Sequence, residues 1–145
     1  NEVSDLIEQV TANDVHLVSW AYWQFKYYDD ITTQGPGESF YDAAGQLQQN
    51  KVSALSRTYA QAIAGLPTHM MFDHVTKRFT LQYDFSPVAQ GTTEIYLNEP
   101  WHYAGGFVVN ISPPGAAIWS RPRRNRIEIT HTAAFTSLFV EILPQ

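Results

Sequence analysis

The eight residues "RFTLQYDF", 78–85, alternate without exception between polar and apolar side chains. Phe79, Leu81, Tyr83 and Phe85 fall on one side, Thr80, Gln82 and Asp84 on the other. Period two is the pattern of a strand with one face in a core and one in water, and it excludes a helix. Just upstream, "THMMF" joined through "DHVTK" makes a hairpin with this strand. Downstream, "TTEIYL", "GGFVVNI", "AAIWS", "RIEITHT" and "SLFVEIL" are short apolar-rich runs punctuated by Gly, Pro and Asn. About seven short strands at this spacing describe a small antiparallel β-sandwich. It is expected over residues 65–145.

Residues 1–64 follow another grammar. Val3, Leu6, Ile7 and Val10 have helical spacing, with Asn1 or Ser4 available as a cap and "TAND" as the stop. Next comes "HLVSWAYWQF", 16–25, with polar exceptions inside the run only at Ser19 and Gln24. Such runs fit a strand buried on both faces, as in parallel sheets. Residues 27–46 carry turn signals, chiefly "GPG", and a loop of that length in a compact domain is usually functional. "LQQNKVSALSRTYAQAIAG" reads as a helix that unwinds near Thr58–Ala60 and reaches Gly65. Helix, buried strand and helix leave most of their apolar surface uncovered. Residues 1–64 are therefore expected to be the terminal α/β segment of a larger architecture, docked on another surface.

Length and composition set limits. The 145 residues are enough for one real core but too few for a complete (β/α)8 barrel, which takes roughly 200–250. Hydrophobic content of 44% against 16% charged is that of a folded domain. Without Cys there is no disulfide or thiolate metal site, and the five His show no ligand spacing, so no metal or cofactor is expected. No apolar run approaches the ~20 residues that span a bilayer. The opening "NEVSDLIEQV" lacks signal-peptide chemistry and reads as the middle of a longer polypeptide. Residues 1–50 hold eight acidic side chains against one Lys, and residues 51–145 hold eight basic against six acidic. The one basic cluster, "RPRRNR" at 121–126, has no interleaved aromatics; it reads as a solvated hairpin, and nucleic acid is not an expected partner.

Candidate binding residues concentrate after the first helix. Six of the nine residues from Trp20 to Tyr28 are aromatic. Aromatic faces stack on the C–H faces of sugars and on lipid chains, which makes Trp20, Tyr22 and Trp23 subsite candidates; the plainer reading is core packing. Tyr28, Asp29 and Asp30 open the following loop, where the carboxylates could bond sugar hydroxyls or simply be solvated. Gln24 and Lys26 alternate with Trp23 and Phe25, so one of them can face a pocket. "NIS" at 110–112 is an N-glycosylation sequence, making Asn110 a candidate in a secreted protein. "NEP" at 98–100 has the form in which many glycoside hydrolases present an acid/base carboxylate, which singles out Glu99.

Three stretches together carry a resemblance: Arg57, Tyr59 and Gln61–Gly65 in "RTYAQAIAG", Thr93–Tyr96, and the pair His102–Tyr103. They resemble the C-terminal end of the endoglycoceramidase-like enzymes of glycoside hydrolase family 5, departing from it at Thr58, Ala60 and Asn98–Glu99, where Pro is common. The resemblance implies a mainly β chain: an antiparallel β-sandwich preceded by a helix–strand–helix fragment that completes a (β/α)8 barrel. It implies a retaining β-glycosidase acting on glycosphingolipids, with two catalytic Glu and no metal. Carried over to the Trp-bearing eighth barrel strand of that family, the resemblance implies that Trp23 is the floor of the sugar subsite and Trp20 a packing residue.

On that alignment Glu99 is a turn residue ahead of Pro100 and no catalyst. The family's two Glu lie on earlier barrel strands, and retention requires a second carboxylate about 5–5.5 Å away. Glu2 and Glu8 lie on the helix before strand eight, so both catalytic Glu are absent. The chain would supply one wall of the active site and the accessory sandwich. Its partners would be an N-terminal polypeptide carrying the rest of the barrel, a glycolipid or oligosaccharide, and a membrane surface reached with Trp101 or Trp119. The location would be secreted or lysosomal. The rival readings are a non-catalytic carbohydrate- or lipid-binding module, and a structural protein derived from such an enzyme.

Overall fold

A computed structural model of the chain describes residues 2–27, 39–89 and 91–145. Helix α1 spans Glu2–Val15 and α2 spans Gln49–Leu55. Strands β1 (Tyr59–Ala62), β2 (Leu66–Phe72), β3 (Phe79–Asp84) and β4 (Thr93–Tyr96) lead to the short helix α3 (Glu99–His102). Strands β5 (Phe107–Ser112), β6 (Ala117–Arg123), β7 (Arg126–His131) and β8 (Ser137–Pro144) complete the order. They form two four-stranded antiparallel sheets, β1-β4-β7-β6 and β2-β3-β8-β5. The chain is mainly β, and its sandwich is the one the alternating runs describe.

The inner faces meet in one core. Phe72, Phe79, Leu81, Tyr83, Ile95, Leu97, Ile127, Ile129, Leu138, Val140 and Ile142 have no exposed surface. Each large side chain so buried is worth about 1.5–3 kcal/mol, which holds the sheets together. The alternation breaks at its last member: Phe85 is 54% exposed, because β3 ends at Asp84 and the ring swings to the edge of Phe135. The hairpins close through residues that tolerate left-handed backbone. Asn125 (φ 62°) turns β6 into β7, and the Asp73 carboxylate accepts the Val75 and Thr76 amides in the β2–β3 turn. At Gly65 the chain passes from one sheet to the other against the Tyr83 ring; a Cβ there would lie 2.6 Å from the Asp84 carbonyl oxygen. Only glycine fits that corner.

Three local expectations change. "TAND" does not stop α1, which continues to Val15, because the Asp14 side chain points into a buried ion pair rather than back at its own turn. The second helix covers only Gln49–Leu55. Beyond it Arg57 and Thr58 are buried, and Tyr59–Ala62 pairs with β4, so β1 joins the sandwich ahead of residue 65. Backbone pairing with β4 satisfies more groups there than a continued helix would. Finally, residues 16–25 form no strand and are largely exposed. No strand among the described residues runs beside them, and an unpaired strand leaves its N–H and C=O groups without ladder partners.

Candidate functional site

The apolar stripe of α1 runs Val3, Ile7, Val10, Asp14. An acid in line with a buried face calls for a buried cation, and one is present. Asp14 Oδ2 accepts hydrogen bonds from Arg57 Nη2 and, at 3.1 Å, from the Phe72 amide. Arg57 also donates to the Phe72 carbonyl at 3.1 Å, and its guanidinium lies 5.3 Å over the Phe72 ring. Asp14 is 5% exposed and Arg57 2%, so this pair fastens α1 to β2 from inside. A second tie joins Lys51 of α2 to Glu2 of α1 at 2.7 Å.

The segment that α1 delivers runs outward. Leu17 takes φ 53°, and Trp20, Trp23 and Phe25 are 41%, 68% and 61% exposed. The Trp23–Gln24 peptide is cis. A groove of about 790 Å³ opens between residues 17–20 and the sandwich, walled by Leu17, Val18, Trp20, Tyr59, Met70 and Tyr96 with Arg57 and Gln61 at its polar side. Among the described residues its one acid is Asp14, which Arg57 already engages. The described walls thus offer apolar and aromatic surface and no free carboxylate.

The chain that returns at residue 39 is fastened to the same segment. Tyr22 stacks on Phe40 with centroids 4.9 Å apart, Phe25 meets Phe40 and Tyr41 edge-on, and the Phe40 amide donates to the Gln24 carbonyl at 3.1 Å. These contacts make residues 20–25 a supported aromatic platform rather than a loose coil.

The sequence candidates divide accordingly. Trp20 and Trp23 are exposed side chains on this platform. Gln24 turns inward, 6% exposed, with Nε2 lacking an acceptor among the described residues, so its side chain lies inside rather than on the platform's surface. Tyr28 and Asp29, with Asp30, lie outside the described residues. Asn110 is exposed on β5, an edge strand, with Nδ2 donating to Glu141 at 3.0 Å. Trp101 and Trp119 are 41% and 42% exposed at the sandwich margin, Trp119 against Phe107.

Glu99 is a structural residue here. Its carboxylate accepts from Arg121 Nε at 3.0 Å, from Arg121 Nη2 and from the Asn125 amide at 2.7 Å, clamping the β6–β7 hairpin. Arg126 pairs with Glu94 and Glu128, so the basic cluster is partly neutralised, as a solvated hairpin would be. Among the described residues no three His, Cys, Asp or Glu side chains are placed to hold a metal ion, and no helix is long and apolar enough to cross a membrane. The sequence reading missed the Asp14–Arg57 junction, although Asp14 continuing an apolar stripe was the available signal.

Comparison with known proteins agrees with this architecture. The profile of the glycoside hydrolase family 5 C-terminal domain matches residues 57–142. An endoglycoceramidase of Cyanea nozakii is 31% identical over 135 residues, covering 90% of this chain and 26% of that protein. Endoglycoceramidase I of Rhodococcus hoagii (strain 103S) is 33% identical over 112 residues, 72% of this chain and 20% of that one. The chain thus spans about a quarter or less of these relatives. Among solved structures, endo-glycoceramidase II from Rhodococcus sp., captured as a lactosyl-enzyme intermediate, superposes with a TM-score of 0.73 at 19% identity, over 99% of this chain and 29% of that one. Cryptococcus neoformans sterylglucosidase 1 gives 0.78 at 16%, over 99% and 24%. At those identities the two structures speak for the fold.

Proposed function

The chain belongs to the glycoside hydrolase family 5 C-terminal domains, and on that premise we propose that it is the C-terminal part of an endoglycoceramidase-like retaining β-glycosidase acting on glycosphingolipids. The observation that carries this reading is the exposed, internally braced aromatic segment Trp20–Phe25 beside an apolar groove. Burying those side chains against a partner would gain roughly 1.5–3 kcal/mol each. In this reading a barrel-bearing polypeptide covers the run 16–25 and takes it up as its last strand, with the catalytic Glu pair on that polypeptide.

Trp23, the most exposed of the aromatics, then forms the floor of the sugar subsite, where an indole face stacks on the C–H face of a pyranose. Trp20, at the groove, packs against the partner. The Asp14–Arg57 pair fixes the sandwich against the completed barrel. A secreted or lysosomal location, and glycosylation of Asn110, go with this reading.

The test is reconstitution. The 145-residue chain is mixed with a polypeptide carrying the preceding barrel, and the mixture is examined by native mass spectrometry and for release of oligosaccharide from ganglioside GM3 presented in mixed micelles. A one-to-one complex that hydrolyses GM3, with neither part active alone, is the expected result. No complex, or a complex equally active when residues 16–25 are replaced by a Gly/Ser linker, overturns the proposal. Glycan binding by the chain alone, without assembly, would favour the binding-module reading instead.

A further inference from the structure

The passage from the helical segment to the sandwich runs through Ser56, between α2 and β1, where Asn98 Nδ2 donates to the Ser56 hydroxyl at 2.6 Å and a histidine holds the carbonyl. His102 of α3 is 5% exposed, and its Nε2 donates to the Ser56 carbonyl at 2.5 Å. Its ring packs on Phe72 at 5.2 Å and on His74 and Tyr103 at 6.4 Å each. Phe72 is the residue whose amide and carbonyl bond Asp14 and Arg57, so the imidazole and the ion pair brace the same strand end.

Neither His102 Nδ1 nor His74 Nδ1 has a hydrogen-bond partner among the described residues. The charges around them are mostly positive. Arg57 faces them from the linker and Lys77 from the β2–β3 turn, with the Lys77 ammonium on the His74 carbonyl at 2.5 Å. The nearby acids are already engaged: Asp14 by Arg57, Asp73 by the amides of its own turn, and Glu99, on the same helix as His102, by Arg121 and Asn125. The Tyr103 hydroxyl lies between Thr58 and the Lys77 carbonyl.

We propose that His102 and His74 form an acid-released latch on this junction: neutral, they hold Ser56 and the helical segment to the sandwich, and protonated, they let go. A neutral His102 needs only its Nε2 proton, which Ser56 receives. A second proton on Nδ1 would sit in a dry position facing Arg57 and Lys77, a cost that the Trp101 backbone beside the ring offsets only in part. The charged ring is relieved by leaving for water, and the Ser56 bond goes with it.

Burial first, then the neighbouring cations, hold both imidazoles below the ordinary value of 6.5, in His102 against the pull of the Ser56 and Trp101 backbone groups, which favour the charged ring. The neutral form therefore favours the closed junction, whose stability is complete above that value and declines as pH falls through the lowered ones. The proposal concerns the junction alone and stands whether or not the chain hydrolyses glycolipid.

Amide hydrogen exchange on the full chain, expressed as protection factors between pH 7.5 and 4.5, tests it. Ser56, whose amide donates to Val52, and the neighbouring Arg57 and Thr58 report the junction; β5, which carries no titratable side chain, serves as internal control. Junction protection is expected to fall about tenfold per pH unit for one linked proton, and up to about a hundredfold for two, while β5 protection holds. His102→Gln keeps a donor within reach of Ser56 but does not titrate, and should flatten the curve. An unchanged slope in His102→Gln, or wild-type protection that is constant across the range, overturns the latch. Should that variant fail to fold, the His102 ring titration followed by NMR in the wild type decides: a midpoint at or above the ordinary value overturns the proposal, and one well below it, coincident with junction exchange, upholds it.

Discussion

Replacing Asp14 by Ala removes the only carboxylate that, among the described residues, engages a guanidinium that is 2% exposed. Arg57 keeps the Phe72 carbonyl and the Phe72 ring, but its Nε and Nη1 already lack acceptors among the described residues, so nothing nearby replaces the lost charge. The Phe72 amide loses its acceptor as well. Breaking one side of a buried pair costs about 3–5 kcal/mol, chiefly through the charge left behind. At about 3–5 °C per kcal/mol for a domain of this size, the melting temperature should fall by roughly 10–20 °C.

Thermal and urea unfolding of the full chain, followed by far-UV circular dichroism, measure this directly. The control is the double variant Asp14→Leu with Arg57→Met, which removes both charges and keeps apolar volume. It should recover more than half of the loss, because a buried pair replaced whole by apolar groups is often neutral. A single-variant loss below about 1 kcal/mol would mean the pair is effectively solvated. A double variant as unstable as the sum of the two singles would mean the charges do not depend on one another. Either result refutes the account of the junction.

Glu99→Gln weakens the clamp on the β6–β7 hairpin and should cost about 1 kcal/mol, in the range of partly exposed ion pairs, while leaving glycolipid hydrolysis by the reconstituted enzyme unchanged; a drop of tenfold or more would restore Glu99 as a catalytic candidate. Trp23→Ala should lower kcat/KM of the reconstituted enzyme by about ten- to a hundredfold, the worth of a lost stacking surface of about 1.5–3 kcal/mol, with melting of the isolated chain unchanged because the ring is exposed. Burial pushes the Tyr103 hydroxyl up to about 12. Its neutral form is thus favoured by folding: that contribution is whole below the ordinary value of 10.0 and lost as pH rises toward 12. Alkaline unfolding should therefore be less steep in Tyr103→Phe, and identical slopes would contradict the assignment.

The sandwich was legible because its strands lie half in a core, and a half-buried strand writes its burial into every second residue. "RFTLQYDF" and "SLFVEIL" show this, and both became strands in the places expected. The N-terminal third was legible only as chemistry. "HLVSWAYWQF" announces burial, but burial against what is not encoded locally, and in this chain those residues stand exposed without a strand partner. Arg57 and Thr58 misled for a related reason. Their helical surroundings argued for a helix that unwinds near Thr58–Ala60 and still reaches Gly65, while the deciding interactions, with Asp14 and Tyr103, come from residues distant in sequence. Of the candidate site, the aromatic character of Trp20 and Trp23 could be read directly. The inward turn of Gln24 could not, since alternation assigns faces only within a strand.

The strand that comes last in the sandwich stands inside its sheet, hydrogen-bonded to β3 on one side and β5 on the other. During synthesis, β3 has only its hairpin partner β2, and β5 has no partner in its own sheet, until residues 137–144 leave the ribosome. Pairings this far apart in sequence form slowly, and until they form the open strand edges are templates for association with other chains. A ribosome stalled before Ser137, or a nonsense codon there, would therefore release a nascent chain with two unsatisfied edges at once. Its expected fate is aggregation or capture by a chaperone rather than a smaller folded domain.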